Sequence, residues 1–432
     1  VELHHRRGIV VQAPRGTRDL LGEELQSIRY VMRRMEEIFK RYGYEEIETP
    51  IFEHLELFTK KSGSSVVKQL YAFKDKSSRD LALRPEITAP VARVYIQRLR
   101  SRPKPVKLFY FGSCFRYEEP QSKRWRQFLQ SGAEILGTSD PLADAEVAAL
   151  SSHIMEDLGF ADFELRLGHI RLLRELLAHA GVKGEAQDPI LRAIDSKEEK
   201  RLSEEIRSAG IKPAEERLLR ELISLRGEVS VLDRAPALLR GIPGATAALK
   251  NLQAIISCLP PMGVKNFSLD LGIARGLDYY TDFVFEVYLG GVQVAGGGRY
   301  DELVEQLGGE PTPAVGVAFG IDRIAQTLLE RGMVPLRDRL DCLVLPVDES
   351  VRAEAMKLVS ELRRKGLAAD IDLLGRKFSK ALEYADAIKV KRVVLVGPKE
   401  LREGQVVIRD MTTGRQEAVA REDLARVLKS VA

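Results

Sequence analysis

The stretches "KLFYFGSCFRYEE" and "RQFLQSGAEILG", beginning at Lys107 and Arg126, are separated only by the polar, basic "PQSKRW". Two strand-like runs joined in this way read as an antiparallel hairpin with a long connection. The tail beyond about Arg339 calls for a different architecture. There "DCLVLPV", "AADIDLL" and "RVVLVG" read as strands with helical stretches between them, followed by a hairpin, "QVVIRDMTTGRQEAV", and a last helix. This βαβαβ order implies a small, largely parallel sheet covered by helices, folding as an independent domain of about 90 residues. A chain of 432 residues is too long for one ordinary domain, so more than one architecture is expected.

The front of the chain, "GTRDLLGEELQSIRYVMRRMEEIFKRYGY", predicts a long amphipathic helix with Asp19 as its cap and Gly43 as its stop. "EIETPIFE" reads as a strand broken by Pro50, which has no N–H for a ladder and belongs at a sheet edge or a partner boundary. From about Gly168 to Pro261 the sequence is charge-rich and helical in period, interrupted at Gly210, Gly227 and "GIPG". Strand-like sequence resumes at "FSLDLGIARGLDYY", so the helical segment reads as an insertion, and nothing in it suggests chemistry. The expected divisions are 1–167, 168–261, 262–338 and 339–432.

With 44% hydrophobic and 30% charged residues, the composition is that of a soluble, well-folded protein. No apolar run approaches the roughly 20 residues that span a bilayer, so no membrane association is expected. "VELHHRRGIV" has no signal-peptide core. Cys114, Cys258 and Cys342 are far apart and form no CxxC, which argues against a disulfide framework or zinc site and for a reducing cytoplasm. The net charge of +4 is small, but nine Lys or Arg against two acids lie between Arg98 and Arg126, and six against two between Arg376 and Arg392. Two basic zones suit a long polyanion; two solvated faces would read the same way.

Arg116, Arg124 and Arg126 surround the hairpin, and alternation puts Arg116 and Glu118 on one face. Arginine's planar fork binds two phosphate oxygens at once, and Phe128 on the return strand could stack on a flat ring; the alternative is a surface ion-pair ladder. "GVAFGIDRI" reads as a glycine-rich strand entering a helix near Asp322, with Arg323 where a phosphate could meet the helix start. "AGGGRYDELVEQLGG" adds a second glycine turn with Tyr300 just past it. Neither a P-loop lysine nor a GxGxxG opening a βαβ unit is present. In "RGLDYYTDFVFEVY" a strand from Tyr279 would carry Tyr280, Asp282, Val284 and Glu286 on one face, with Thr281, Phe283, Phe285 and Val287 on a core face. Alone, Tyr280 would read as a packed strand tyrosine.

Taken together these motifs resemble class II aminoacyl-tRNA synthetases. "EIETPIFE" resembles their motif 1, the FRxE-like run at Arg116 motif 2, and "AFGIDRI" motif 3, while "RGLDYYTDFVFE" and "AGGGRYDELVEQLGG" are similar to the two signature peptides of the histidyl-tRNA synthetases. Asp282, Glu119, Ile87 and Leu129 depart from the common pattern. The resemblance implies an α+β catalytic domain with an antiparallel sheet, a helical insertion, a C-terminal α/β anticodon-binding domain, and a homodimer joined near Pro50. It implies activation of histidine with ATP and transfer to the 3′ end of tRNA(His), with Mg²⁺ accompanying ATP and its ligands not singled out. Glu86 and Thr88 would bind the substrate α-amino group, and Gln130 its carboxylate. Glu134 and Tyr280 would each meet one imidazole nitrogen, and Tyr300 would close the pocket. Arg116 and Arg275 would grip the α-phosphate as the catalytic pair, and Arg323 the γ-phosphate. Phe128 would stack on adenine, with Glu118 and Arg124 completing the ATP site. Gln121, Lys123 and Arg126 would meet the acceptor end of the tRNA. A rival expectation is a catalytically silent relative, such as a regulatory subunit of ATP phosphoribosyltransferase or a sensor of uncharged tRNA in a stress kinase. A general nucleic-acid-binding protein would explain the basic zones but not the two tyrosine signatures.

Overall fold

The computed structural model describes residues 11–60, 69–118, 125–274, 279–336 and 338–430. The chain divides into two units, Val1–Pro335 and Leu336–Ala432. In the first, twelve strands are described: β1 Glu45–Glu46, β2 Phe52–His54, β3 Ala72–Lys74, β4 Asp80–Leu83, β5 Val106–Phe115, β6 Gln127–Leu136, β7 Phe163–His169, β8 Arg226–Gly227, β9 Ser268–Asp270, β10 Phe283–Leu289, β11 Val292–Arg299 and β12 Ala314–Gly320. Nine of them form one sheet in the order β1-β5-β6-β12-β11-β10-β7-β9-β8, and the rest a small sheet in the order β2-β4-β3. The large sheet is antiparallel except for the β1–β5 and β7–β9 pairs. "EIETPIFE" is thus two short strands on either side of Pro50, in two different sheets.

The first long helix is Gly22–Arg41, and Ile28, Val31, Met35, Ile38 and Phe39 form its buried stripe. Asp19 does not cap it: Leu21 is the N-cap residue and no side chain serves there. Gly43 follows the helix in a left-handed conformation, φ 76°, as a stop requires. The helix packs on helix Ile321–Glu330, and Ser27 Oγ donates to Ala325 O at 2.6 Å.

Two strand readings need correction. The stretch from Tyr279 becomes a regular strand only at Phe283, and Val284 is as fully buried as Phe283 and Phe285. Its acids are paired within the fold: Asp282 with Arg171 at 3.1 Å, and Glu286 with the Tyr288 hydroxyl and Gln293 Nε2 at 2.8 and 3.1 Å. Nor is "AGGGRY" a turn. Ala295–Arg299 lies inside β11, bonded to β10 on one side and β12 on the other. The reason is close approach: a Cβ on Gly298 would lie 2.8 Å from the Tyr280 ring, so glycine lets that ring lie against the strand.

Helices Ile170–His179, Asp188–Ser196, Glu199–Ser208, Pro213–Ser224 and Pro243–Cys258 follow β7. Their buried leucines and isoleucines, Leu172, Leu176, Leu252 and Ile255 among them, join the same apolar core as Phe283 and Phe285.

The second unit holds β13 Cys342–Pro346, β14 Ala369–Ile371, β15 Arg392–Val396, β16 Gln405–Asp410 and β17 Gln416–Ala420, ordered β14-β13-β15-β16-β17. The first three are parallel and the last two antiparallel, as a βαβαβ run closed by a hairpin requires. Alternation sends Cys342 and Val344 toward helices Arg352–Arg364 and Leu424–Ser430, and Leu343 and Leu345 toward Phe378–Ala387. No described helix is long and apolar enough to cross a membrane.

Candidate active site

A cavity of about 510 Å³ is walled by the Pro85–Ala89 turn, the base of the β5–β6 hairpin, Tyr279, Tyr280, and the facing stretches of β11 and β12. Glu86, Thr88, Arg116, Glu118, Phe128, Gln130, Glu134, Tyr280, Tyr300 and Arg323 all line it. Residues spread over the sequence therefore meet because β5, β6, β12 and β11 are neighbours in the sheet.

One end is cationic and aromatic. Arg116 Nε donates to Pro85 O at 3.0 Å, and its guanidinium lies 5.2 Å from the Phe128 ring centroid. Arg323, in the first turn of its helix, donates to Gln293 O at 2.6 Å. Beside it Asp322 accepts from Leu129 N and from Arg18, each at 2.6 Å, and Arg18 lies 4.6 Å over Trp125, another lining residue. Arg126 is not among the lining residues: it lies 4.1 Å over Tyr117 and donates to Glu118 O at 3.0 Å.

The other end is a buried polar nest. Glu86 accepts from the amides of Thr88 and Ala89 at 2.6 and 3.1 Å, and Gln130 Oε1 from Ile87 N at 3.1 Å. Burial raises the Glu86 pKa, against the pull of those amides. Glu134 is 1% exposed and receives three hydroxyls: Thr88 Oγ1 at 2.8 Å and Tyr110 at 3.1 Å on Oε1, and Tyr300 on Oε2. Burial outweighs these donors and pushes Glu134 up to about 8. The Tyr110, Tyr279 and Tyr300 hydroxyls are raised well above their ordinary value, again chiefly by burial, so they remain neutral donors. Of the strand face expected to carry Tyr280, Asp282, Val284 and Glu286, only Tyr280 lines the cavity; Tyr279 joins it ahead of β10, and β11 completes this side.

Sequence reasoning passed over Tyr110, Tyr279, Gln293 and Asp195 as members of this site. Tyr110 could have been found by aligning the hairpin, which sets it opposite Gly132, two residues from Glu134. Asp195 carries no such signal, because it reaches the cavity from an insertion helix. The roles expected of Arg275, Gln121, Lys123 and Arg124 fall on residues outside those described.

The described lining holds no histidine, cysteine or serine. A cationic, aromatic end and a buried polar nest in one cavity suit a reaction between two bound ligands that the protein orients and neutralises. A mainly antiparallel sheet that sets a hairpin arginine beside an aromatic ring, with a helix-start arginine on the same cavity, fits the class II aminoacyl-tRNA synthetase plan that the motifs implied.

Comparison with known proteins narrows the class. Residues 16–324 match the histidyl-tRNA synthetase family and residues 341–431 an anticodon binding domain family. A histidine–tRNA ligase of Methanocaldococcus jannaschii is 41% identical over 96% of this chain and 99% of its own, and one of Pyrococcus furiosus 40% identical over 98% and 99%. Among solved structures, the histidyl-tRNA synthetase of Nostoc sp. PCC 7120 superposes with a TM-score of 0.81 at 26% identity, covering 98% of this chain and 100% of that one. A Bacillus halodurans C protein described as an ATP phosphoribosyltransferase regulatory subunit/histidyl-tRNA synthetase gives 0.78 at 26%, covering 91% and 100%. The chain belongs to the histidyl-tRNA synthetase family.

Proposed function

We infer that this chain is a histidine–tRNA ligase, which joins histidine to ATP as histidyl-adenylate with release of pyrophosphate and passes the histidyl group to the 3′ end of tRNA(His). The observation that carries the reading is the buried Glu134 nest facing the same cavity as Arg116, Phe128 and Arg323. An imidazole offers one N–H and one bare nitrogen. Glu134, once ionised, is an acceptor for the first, and the Tyr280 hydroxyl is a donor for the second. An amino acid lacking either nitrogen leaves a buried group unpaired, the costly form of mismatch. Glu86 meets the α-ammonium, with Thr88 beside it, and Gln130 the carboxylate. Tyr300 closes the pocket.

In the first step the histidine carboxylate attacks the ATP α-phosphorus. Arg116 neutralises charge on the α-phosphate from one side and Arg275 from the other, Arg323 holds the γ-phosphate, and Phe128 stacks on adenine. ATP is expected to arrive with Mg²⁺. No group of three metal-ligating side chains exists among the described residues, which suits an ion held mainly by phosphate oxygens and one or two carboxylates. Glu118, on the cavity wall two residues from Arg116, fits that place, where the ion would offset phosphate charge. Gln121, Lys123 and Arg126 belong to the approach of the acceptor end, Arg124 to the ATP site, and the second unit to the anticodon. Supporting a homodimer, Ile51 and Phe52, next to Pro50 in the chain, are 49 and 54% exposed, and Phe73, whose ring meets that of Phe52, is 43% exposed. A cytoplasmic enzyme fits the three free cysteines.

The silent-regulator alternative is disfavoured by the tail domain and by near-full-length relatives named as ligases. Histidine-dependent ATP–pyrophosphate exchange by the purified chain tests the reading. Exchange with histidine and with no other amino acid is expected, and absence of exchange refutes it.

A further inference from the structure

We propose that Tyr110 is a positioning residue for histidine selection: its hydroxyl fixes the Glu134 carboxylate in the orientation that accepts an imidazole N–H. The proposal rests on the reading of Glu134 as an imidazole partner. Register sets Tyr110 of β5 opposite Gly132 of β6, with Glu134 two residues along on the same face. A Cβ at Gly132 would collide with the Tyr110 ring and hydroxyl, so the missing side chain is what lets the phenol lie across the strand. On the far side Glu134 pairs with Gly316 of β12, where a Cβ would run into Oε2. Two glycines on adjacent strands thus leave room for one carboxylate and one phenol.

Three hydroxyls converge on this carboxylate and favour its ion against burial. Oε1 accepts from Tyr110 and Thr88, and Oε2 from Tyr300. Among the described residues, Glu86, Tyr44 and Tyr279 are further ionisable groups that interact with this carboxylate. Only the ionised carboxylate presents acceptors alone; its acid form would offer a proton to an N–H. Each hydroxyl favours the ion against burial. Removing one donor therefore makes the ion less populated and less well aimed.

Tyr110→Phe keeps the ring across Gly132 and removes the hydroxyl. Pyrophosphate exchange is measured between pH 7 and 9 for the wild type, Tyr110→Phe and Glu134→Gln. For Tyr110→Phe the histidine KM is expected to rise roughly tenfold with the ATP KM unchanged, and the acid limb of kcat/KM for histidine to move to higher pH. For Glu134→Gln the KM rises and that limb disappears. If Glu134→Gln raises the KM while Tyr110→Phe matches the wild type in KM and limb, Tyr110 does not position Glu134, and the ligase reading stands. If Tyr110→Phe raises the ATP and histidine KM alike with the limb unmoved, its role is packing and the proposal falls. An unchanged histidine KM in Glu134→Gln overturns the reading of Glu134 and this proposal with it.

Discussion

Glu134→Gln should stabilise the ligand-free protein in alkaline solution, although it removes a residue proposed to bind the substrate. The carboxyl is 1% exposed, and burial lifts its pKa from 4.5 to about 8. A folded pKa above the unfolded one means that folding favours the protonated group. The stabilisation is complete below about pH 4.5 and is lost as pH rises through about 8. At 1.36 kcal/mol per pH unit, the wild type forfeits on the order of 5 kcal/mol across that window. Glutamine has nearly the same shape and does not titrate. It can still accept from Thr88 and Tyr110 at its oxygen, while its amide faces the Tyr300 hydroxyl in place of Oε2. The difference between variant and wild type should therefore be small or unfavourable near pH 5 and shift in favour of the variant toward pH 9. Thermal unfolding of both proteins without ligand, at intervals from pH 5 to 9, reads it directly. Parallel curves would show that Glu134 does not carry a folding-linked proton, and the physical account of the nest would be wrong.

Arg275→Ala should slow adenylate formation about 10²–10³-fold, the usual cost of one well-placed donor to developing charge. Transfer from preformed adenylate should suffer far less, and single-turnover kinetics of the two steps separates them. A chain ending at Pro335, where the first unit ends, should still exchange pyrophosphate but charge tRNA poorly; undiminished charging would argue against an anticodon role for the tail. Asp144→Ala should cost up to about 3–5 kcal/mol, because it removes the two-point partner of a buried guanidinium and leaves, among the described residues, only Asp301 to offset its charge. Arg299 meets Asp144 at 2.7 and 2.9 Å and is 4% exposed. A melting temperature close to that of the wild type would refute this.

The basic tail cluster shows how far charge counting goes. Arg376 is paired with Asp372 and lies 4.1 Å over Tyr384, Lys391 meets Asp338 at 2.9 Å, and Lys380 meets Glu383 at 2.6 Å. Part of the net positive run is therefore engaged within its own unit, through acids that a count between Arg376 and Arg392 includes only in part. Leu373 and Leu374 beside it are 79 and 75% exposed, a surface that no charge pattern announces.

What the chain states locally, it states well. The β5–β6 hairpin, the apolar stripe of Gly22–Arg41, the break at Pro50 and the mixed order of strands and helices in the tail follow from side-chain period and from missing N–H groups, properties of residues a few positions apart. The motifs together also pointed to ten residues that line one cavity, without showing why they meet; Arg126 is not among the lining residues, and Arg275, Gln121, Lys123 and Arg124 lie outside the described ones. Only the tertiary fold decided that "AGGGRY" is strand, because its glycines answer rings and carbonyls from β10 and β12 rather than a local bend. It also decided that Asp282 and Glu286 pair inside the scaffold while Tyr279 and Tyr280 face the cavity. The Glu134 nest depends on the same thing, since its donors come from residues 88, 110 and 300. Burial and hydrogen bonding belong to neighbours in space, and sheet register, which brings distant residues side by side, is absent from any short window of sequence.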